Sequence, residues 1–142
     1  MESQLWFGVT GIVKEVISPD TIRILVSEPA PHVLTVKLVG VRSPSGRKAA
    51  KDAISFLRRA TEGREVTVLI NPGDKYFERR KTGVVDGWLR SVSTLMIESG
   101  IVAYEPPQPY LMSGYDMCRH KLAEDRAKRA RVGIWEDFVT QK

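Results

Sequence analysis

Residues 75–81 (KYFERRK) place four cations around two adjacent aromatic residues, a pattern that suits contact with nucleic acid. The cations and rings of this segment are Lys75, Tyr76, Phe77, Arg79, Arg80 and Lys81. Cations neutralise backbone phosphates, and aromatic rings offer flat surfaces on which bases stack. A solvated hairpin loop has the same composition, because exposed loops are often basic without a ligand. The residues by themselves leave both interpretations open.

Cysteine and histidine are too few and too far apart to indicate a metal site or an internal disulfide. Cys118 is the single cysteine, and His32 and His120 have no ligand spacing. We therefore expect no cofactor. An intracellular location, in the reducing cytoplasm or nucleus, is the default expectation for such a chain. A mature secreted protein that has lost its leader would have the same composition.

The overall composition predicts one globular domain with an acidic partner. The 142 residues are 42% hydrophobic and 27% charged, and the formal net charge is +5. No apolar run reaches the roughly 18–20 residues that span a bilayer, so we expect no membrane partner. Positive charge favours nucleic acid among acidic partners, although many basic domains bind none.

Hydrophobic periodicity predicts short strands interrupted by helices. The expected strands are residues 7–17, 21–26, 32–41, 64–70 and 82–89, and the expected helices are residues 45–62, 92–99 and 113–131. Short turns join the first three strands, which should form an antiparallel meander. Five strands with a helix after the third are typical of a mainly β fold with helices (α+β), a five-stranded OB-type barrel with three helices.

The last predicted helix has an apolar side and a basic side. We expect its apolar side to be buried, and this side comprises Tyr115, Cys118, Leu122, Ala123, Ala127 and Ala130. The basic side carries Arg119, Lys121, Arg126, Lys128, Arg129 and Arg131. A solvated outer face is the simplest interpretation of these cations, because amphipathic helices need polar exteriors.

Five segments, in this order, resemble the staphylococcal nuclease-like domain. They are residues 13–22 (VKEVISPDTI), 36–45 (VKLVGVRSPS), 74–76 (DKY), 92–101 (VSTLMIESGI), and 123–128 (AEDRAK) followed by 133–135 (GIW). The resemblance implies a staphylococcal nuclease-like OB-fold domain over residues 7–138. Residues 1–6 would be an N-terminal extension and residues 139–142 a C-terminal tail.

Active members of that family cleave DNA and RNA phosphodiesters with calcium. Two aspartates and a glutamate arrange the ion and the attacking water, and two arginines grip the phosphate. Calcium requires several hard oxygen ligands, and a carboxylate can orient or deprotonate the water. Forked guanidinium groups stabilise the growing charge on the phosphoryl oxygens.

The resemblance places these functional positions on residues of this chain one by one. Asp20 retains the first aspartate, within the SPDT turn. Lys37 replaces the first arginine, which keeps the charge but loses the bidentate fork. Arg42 replaces the second aspartate and reverses the charge, and Ser43 replaces the neighbouring threonine. Ser45 replaces the glutamate.

The second arginine falls on Glu78 when the chain is aligned without a gap from residues 74–76. Arg79 or Arg80 takes that position only with a shift in register. Two of the three family carboxylates are thus absent. We predict that Asp20 is a turn residue or an ion-pair partner of Arg42, with residual metal binding as the alternative.

These substitutions predict a catalytically inactive, nuclease-like domain that binds nucleic acid, with RNA or single strands preferred. It is similar in this respect to the inactive domains of Tudor staphylococcal nuclease proteins. The expected contacts to nucleic acid are Lys37, Arg42, Lys75, Tyr76, Arg79, Arg80 and Lys81. Two alternatives stay open: a protein-interaction module without a nucleic-acid ligand, and a calcium-dependent nuclease with a rebuilt site. The sequence also allows the chain to be one domain of a longer protein.

Overall fold

The computed structural model describes residues 7–70, 80–86, 91–106 and 114–137. In chain order the elements are β1 (Phe7–Ser18), β2 (Thr21–Val26), β3 (His32–Leu38), β4 (Val41–Arg42), α1 (Arg47–Thr61), β5 (Glu65–Ile70), β6 (Arg80–Asp86), α2 (Val92–Glu98), β7 (Ala103–Tyr104) and α3 (Gly114–Ala130). A short 3-10 turn, Gly133–Trp135, follows α3. None of the helices in these residues combines the length and the hydrophobicity that a transmembrane span requires.

Five strands close into a barrel in the order β1-β2-β3-β6-β5. The strands β1, β2 and β3 form the predicted antiparallel meander. β5 pairs antiparallel with both β1 and β6, and β6 pairs parallel with β3. The mixed α+β fold, with a five-stranded OB-type barrel and three helices, is therefore confirmed.

The barrel interior and two helices form one hydrophobic core. Alternation along β2 buries Ile22 and Ile24 and leaves Arg23 exposed, as a period of two requires. Leu57 of α1 and Met96 of α2 are fully buried against these strands. Burial of each such side chain contributes about 1.5–3 kcal/mol, which fixes both helices on the barrel.

The third strand is shorter than the sequence predicts. Residues 32–41 were expected to be continuous, but β3 ends at Leu38 and a turn at residues 39–40 redirects the chain. The next two residues form β4, which leaves the barrel and pairs with β7. β6 starts at Arg80 rather than at residue 82, and residues 87–89 lie outside the described part of the chain.

The buried side of α3 differs from the prediction. Tyr115 is 71% exposed and Leu122 is 48% exposed, and Cys118 is exposed as well. Ala123 and Ala127 are buried as predicted, but the other buried positions are the polar residues His120 and Glu124. Periodicity alone could not separate these two sides, because α3 buries two polar side chains with its alanines.

Candidate nucleic-acid interface

The parallel pairing of β3 with β6 joins two parts of the predicted interface. Thr35 pairs with Arg80, Val36 with Lys81, and Lys37 with Thr82. The Lys37 side chain is exposed, and the backbone of Arg80 and Lys81 runs alongside it.

Several predicted contacts cannot be compared with the structure. Lys75, Tyr76, Glu78 and Arg79 lie outside the described residues, as do the side chains of Arg80 and Lys81. The described part of the interface therefore consists of Lys37, the neighbouring β6 backbone and the residues of the β1–β2 turn and the β4 segment.

Asp20 is held by hydroxyl groups of its own turn. The Ser18 hydroxyl donates to Oδ1 of Asp20 at 2.9 Å, and the Thr21 hydroxyl donates to the same oxygen at 3.0 Å. The Leu38 N–H donates to the Asp20 carbonyl at 2.7 Å, so the turn is also tied to the end of β3. These bonds agree with the interpretation of Asp20 as a turn residue.

Arg42 does not form the predicted ion pair with Asp20. Its Nε lies 3.5 Å from Oε1 of Glu105, and both side chains are more than half exposed. The reason is the turn after β3: β4 pairs with β7, and Glu105 directly follows β7. An exposed pair of this kind contributes at most about 1 kcal/mol.

Glu105 is a site residue that sequence reasoning missed. It is 63 positions from Arg42, and no local pattern links the two residues. The Glu105 N–H donates to the Gly40 carbonyl at 2.9 Å, which fixes its backbone beside β4. Predicting the pairing of β4 with β7 would have brought Glu105 next to Arg42. Strands of only two residues have no periodicity from which such a pairing could be predicted.

Ser43 and Ser45 are exposed and line a shallow hollow of about 300 Å³ together with Arg42. The other lining side chains include Ala49, Val102 and Ile134, so the described walls are apolar apart from the two hydroxyl groups and the Arg42 guanidinium. Among the residues that the structure describes, no acidic side chain lines this hollow. A calcium ion needs six to eight oxygen ligands with carboxylate charge, and these walls do not supply them.

The described residues also contain no group of three histidine, cysteine, aspartate or glutamate side chains placed to hold a metal ion. At the family positions that the structure describes, Asp20 is the one acid, and Arg42 brings a positive charge to the same region. The described residues at these positions therefore do not fit calcium, and no reaction step through a metal follows from them.

A buried glutamate connects β7, and hence β4, to α3. The Tyr104 N–H donates to Oε2 of Glu124 at 2.7 Å, and Lys128 Nζ lies 3.4 Å from Oε1 of the same carboxylate. The Tyr104 ring also packs on the His120 ring, with centroids 5.8 Å apart. Burial raises the pKa of the Tyr104 hydroxyl above its ordinary value, and the nearby Glu124 charge raises it further.

This raised pKa predicts that alkaline pH destabilises the fold. Below the unfolded-state value near 10, the hydroxyl is protonated in both states. Above it, the unfolded chain loses the proton more readily, so the free energy of unfolding falls as pH rises. We expect Tyr104→Phe to flatten this decline, measured by urea unfolding between about pH 9 and 11. An equally steep decline in the variant and in the wild type would contradict the assignment. Tyr115→Phe, at an exposed tyrosine, is the matched control.

A comparison with known protein families agrees with the observed fold. The family model described as staphylococcal nuclease homologue matches residues 35–137, which extend from β3 to the residues after the 3-10 turn. This match covers more than half of the chain. The comparison with curated proteins gives no match.

Proposed function

Because the chain belongs to the staphylococcal nuclease homologue family, we propose that it is a nucleic-acid-binding domain that has lost phosphodiester cleavage. RNA or another single strand is the proposed ligand. The proposed contacts are Lys37, Arg42, Lys75, Tyr76, Arg79, Arg80 and Lys81.

The observation that carries the binding proposal is the register between β3 and β6. It places exposed Lys37 on the same face as Thr35, two positions earlier in β3, and Thr35 pairs with Arg80 at the end of the basic segment. Lys37 and the end of the basic segment, far apart in sequence, thus lie on adjacent strands of the barrel. A track of cations next to aromatic residues matches what a single strand offers, namely phosphates and unstacked bases.

We infer the loss of cleavage from the acidic residues that this chain lacks at the family positions. A hydrolytic site of this family needs carboxylates for both the ion and the water, whereas Arg42 and Ser45 provide a guanidinium and a hydroxyl. The remaining carboxylate, Asp20, already accepts two hydroxyl hydrogen bonds. Losing a single oxyanion-stabilising donor commonly lowers a rate by about 10²–10³, and here several components differ together.

Two assays on the full chain test the two halves of this proposal. In the first, single-stranded RNA and DNA are incubated with the protein in calcium, magnesium or chelator, and we expect no metal-dependent product. Metal-dependent cleavage that Asp20→Ala abolishes would contradict the loss of activity and favour a rebuilt nuclease site.

The second assay is a filter-binding titration with single-stranded RNA at several salt concentrations. We expect micromolar or tighter binding that weakens steeply with salt, because each phosphate contact releases condensed counterions. Absence of salt-sensitive binding at micromolar protein would contradict the binding half and favour a protein-interaction module. Titration with duplex DNA of the same length tests the preference for single strands.

A further inference from the structure

One exposed side of α3 combines apolar and basic residues that the barrel does not use. We define the α3 stripe as Tyr115, Arg119, Leu122 and Arg126, which follow one another at helical spacings of four, three and four. Tyr115 is 71% exposed and Leu122 is 48% exposed. Tyr115 and Leu122 belong to the side that apolar periodicity predicts to be buried, yet no element among the described residues covers them.

The α3 stripe borders a hollow between α2 and α3. The hollow has a volume of about 350 Å³, and Arg119, Leu122 and Arg126 form its α3 wall. Thr94 and Glu98, one helical turn apart, form its α2 wall. Leu122 therefore faces a concave surface into which a side chain of a partner fits.

The two arginines of the α3 stripe differ from the two lysines of the helix. Lys121 pairs with Asp125 at 3.4 Å, and Lys128 pairs with Glu124 at 3.4 Å. Arg119 lies with Cζ 5.7 Å from the centroid of the Tyr115 ring. Among the residues that the structure describes, no carboxylate lies within ion-pair distance of Arg119 or of Arg126.

We propose that the α3 stripe binds an acidic amphipathic helix of a partner protein. Arg119 and Arg126 are seven residues apart, which is about 10.5 Å along the helix axis and two full turns. A partner helix with carboxylates seven residues apart and a leucine between them matches this spacing in charge and in shape. Its leucine would fill the hollow beside Leu122, and its carboxylates would pair with the two arginines.

Nucleic acid fits the same surface less well. A phosphodiester strand carries a negative charge at every residue, whereas Leu122 and Ala123 make part of the α3 wall apolar. A strand would also leave Leu122 without an apolar partner. The inference is independent of the proposed function, because the α3 stripe shares no residue with the candidate nucleic-acid interface.

The test is fluorescence anisotropy with a designed helical peptide and the full chain. The probe is an alanine-rich peptide of about 22 residues, long enough to be helical, with glutamates seven positions apart and a leucine between them. A scrambled peptide of the same composition controls for bulk charge. We expect saturable binding of the designed peptide at micromolar protein and at least tenfold weaker binding of the scrambled one.

Substitutions on the α3 stripe then locate the site. We expect Leu122→Ser and the double variant Arg119→Ser/Arg126→Ser each to weaken peptide binding about tenfold. The double variant Arg47→Ser/Arg59→Ser removes the same charge from exposed positions of α1 and should leave the affinity unchanged. Circular dichroism of each variant verifies the fold, which these exposed positions should not affect.

Three results would overturn the inference. The first is no saturable binding of the designed peptide up to about 100 μM, an affinity too weak for a specific interface. The second is equal affinity for the designed and scrambled peptides. The third is unchanged affinity in Leu122→Ser. If the double stripe variant instead weakens binding of single-stranded RNA and no peptide binds, nucleic acid is the occupant of this surface.

Discussion

Gly133→Ala is expected to lower the free energy of unfolding by about 2–5 kcal/mol. Gly133 has φ +56° and Gly100 has φ +71°, both in the left-handed region that disfavours a side chain. A Cβ added at Gly133 would overlap the carbonyl group of Gly100. That carbonyl already accepts a hydrogen bond from the Ile134 N–H at 2.8 Å, so it cannot move away without losing this bond.

Urea unfolding of the variant and of the wild type measures this loss, and the melting temperature should fall by roughly 6–20 °C. Gly63→Ala is the matched control, because Gly63 has φ +77° and open space around an added Cβ. The control should show only the conformational cost of about 1–2 kcal/mol. Equal losses in the two variants would mean that the contact between Gly133 and Gly100 is not tight.

Removing three cations from the candidate interface is expected to weaken binding of single-stranded RNA about 100-fold at 0.1 M salt. The variant is Lys37→Ser/Arg80→Ser/Lys81→Ser. On a single strand, each neutralised phosphate contributes about 0.7 to the slope of log affinity against log salt. Three lost contacts therefore lower that slope by about 2, which can be read from filter binding at several salt concentrations.

The control for this experiment removes equal charge elsewhere. Lys51→Ser/Arg59→Ser/Arg64→Ser changes exposed cations of α1 and of the turn after it, so only bulk electrostatics differ. We expect it to change the affinity only a few-fold and to keep the slope. If both triple variants lose the same affinity and the same salt dependence, RNA binds by net charge and not through the surface formed by β3 and β6.

The two proposals give different experimental profiles. The candidate nucleic-acid interface lies along β3 and β6, whereas the α3 stripe lies on the last helix beside α2. A domain with both surfaces would hold a nucleic acid and a protein at once. The Lys37 and Leu122 variants separate them, since each is expected to affect only one ligand.

Arg42, at the position that the family resemblance assigns to a metal-binding aspartate, pairs with Glu105. Arg42 lies on β4, which pairs with β7, and β7 is joined to α3 through the buried Glu124. The Arg42 guanidinium thus interacts with Glu105, which is not one of the positions that the family resemblance assigns to the active site. This arrangement supports the proposal that the β4 segment binds a ligand or stabilises the fold and does not cleave phosphodiesters.

The sequence by itself determined the barrel and its helices. Alternation at a period of two located the strands, and the spacing of Ala53 and Leu57 located α1, because these patterns are local and follow from backbone geometry. It also predicted Lys37 and the basic segment as cationic positions, since charge is read directly from residue type. The short turns between the first three strands predicted the antiparallel meander.

Only the tertiary structure decided which residues meet. The sequence placed Arg42 beside Asp20, but a turn after β3 brought it to Glu105 instead. It also predicted Tyr115 and Leu122 to be buried, whereas packing of α3 selected the side with His120 and Glu124. Contacts between residues far apart in sequence depend on loop paths and on which polar groups find partners during packing. A local pattern contains no record of either.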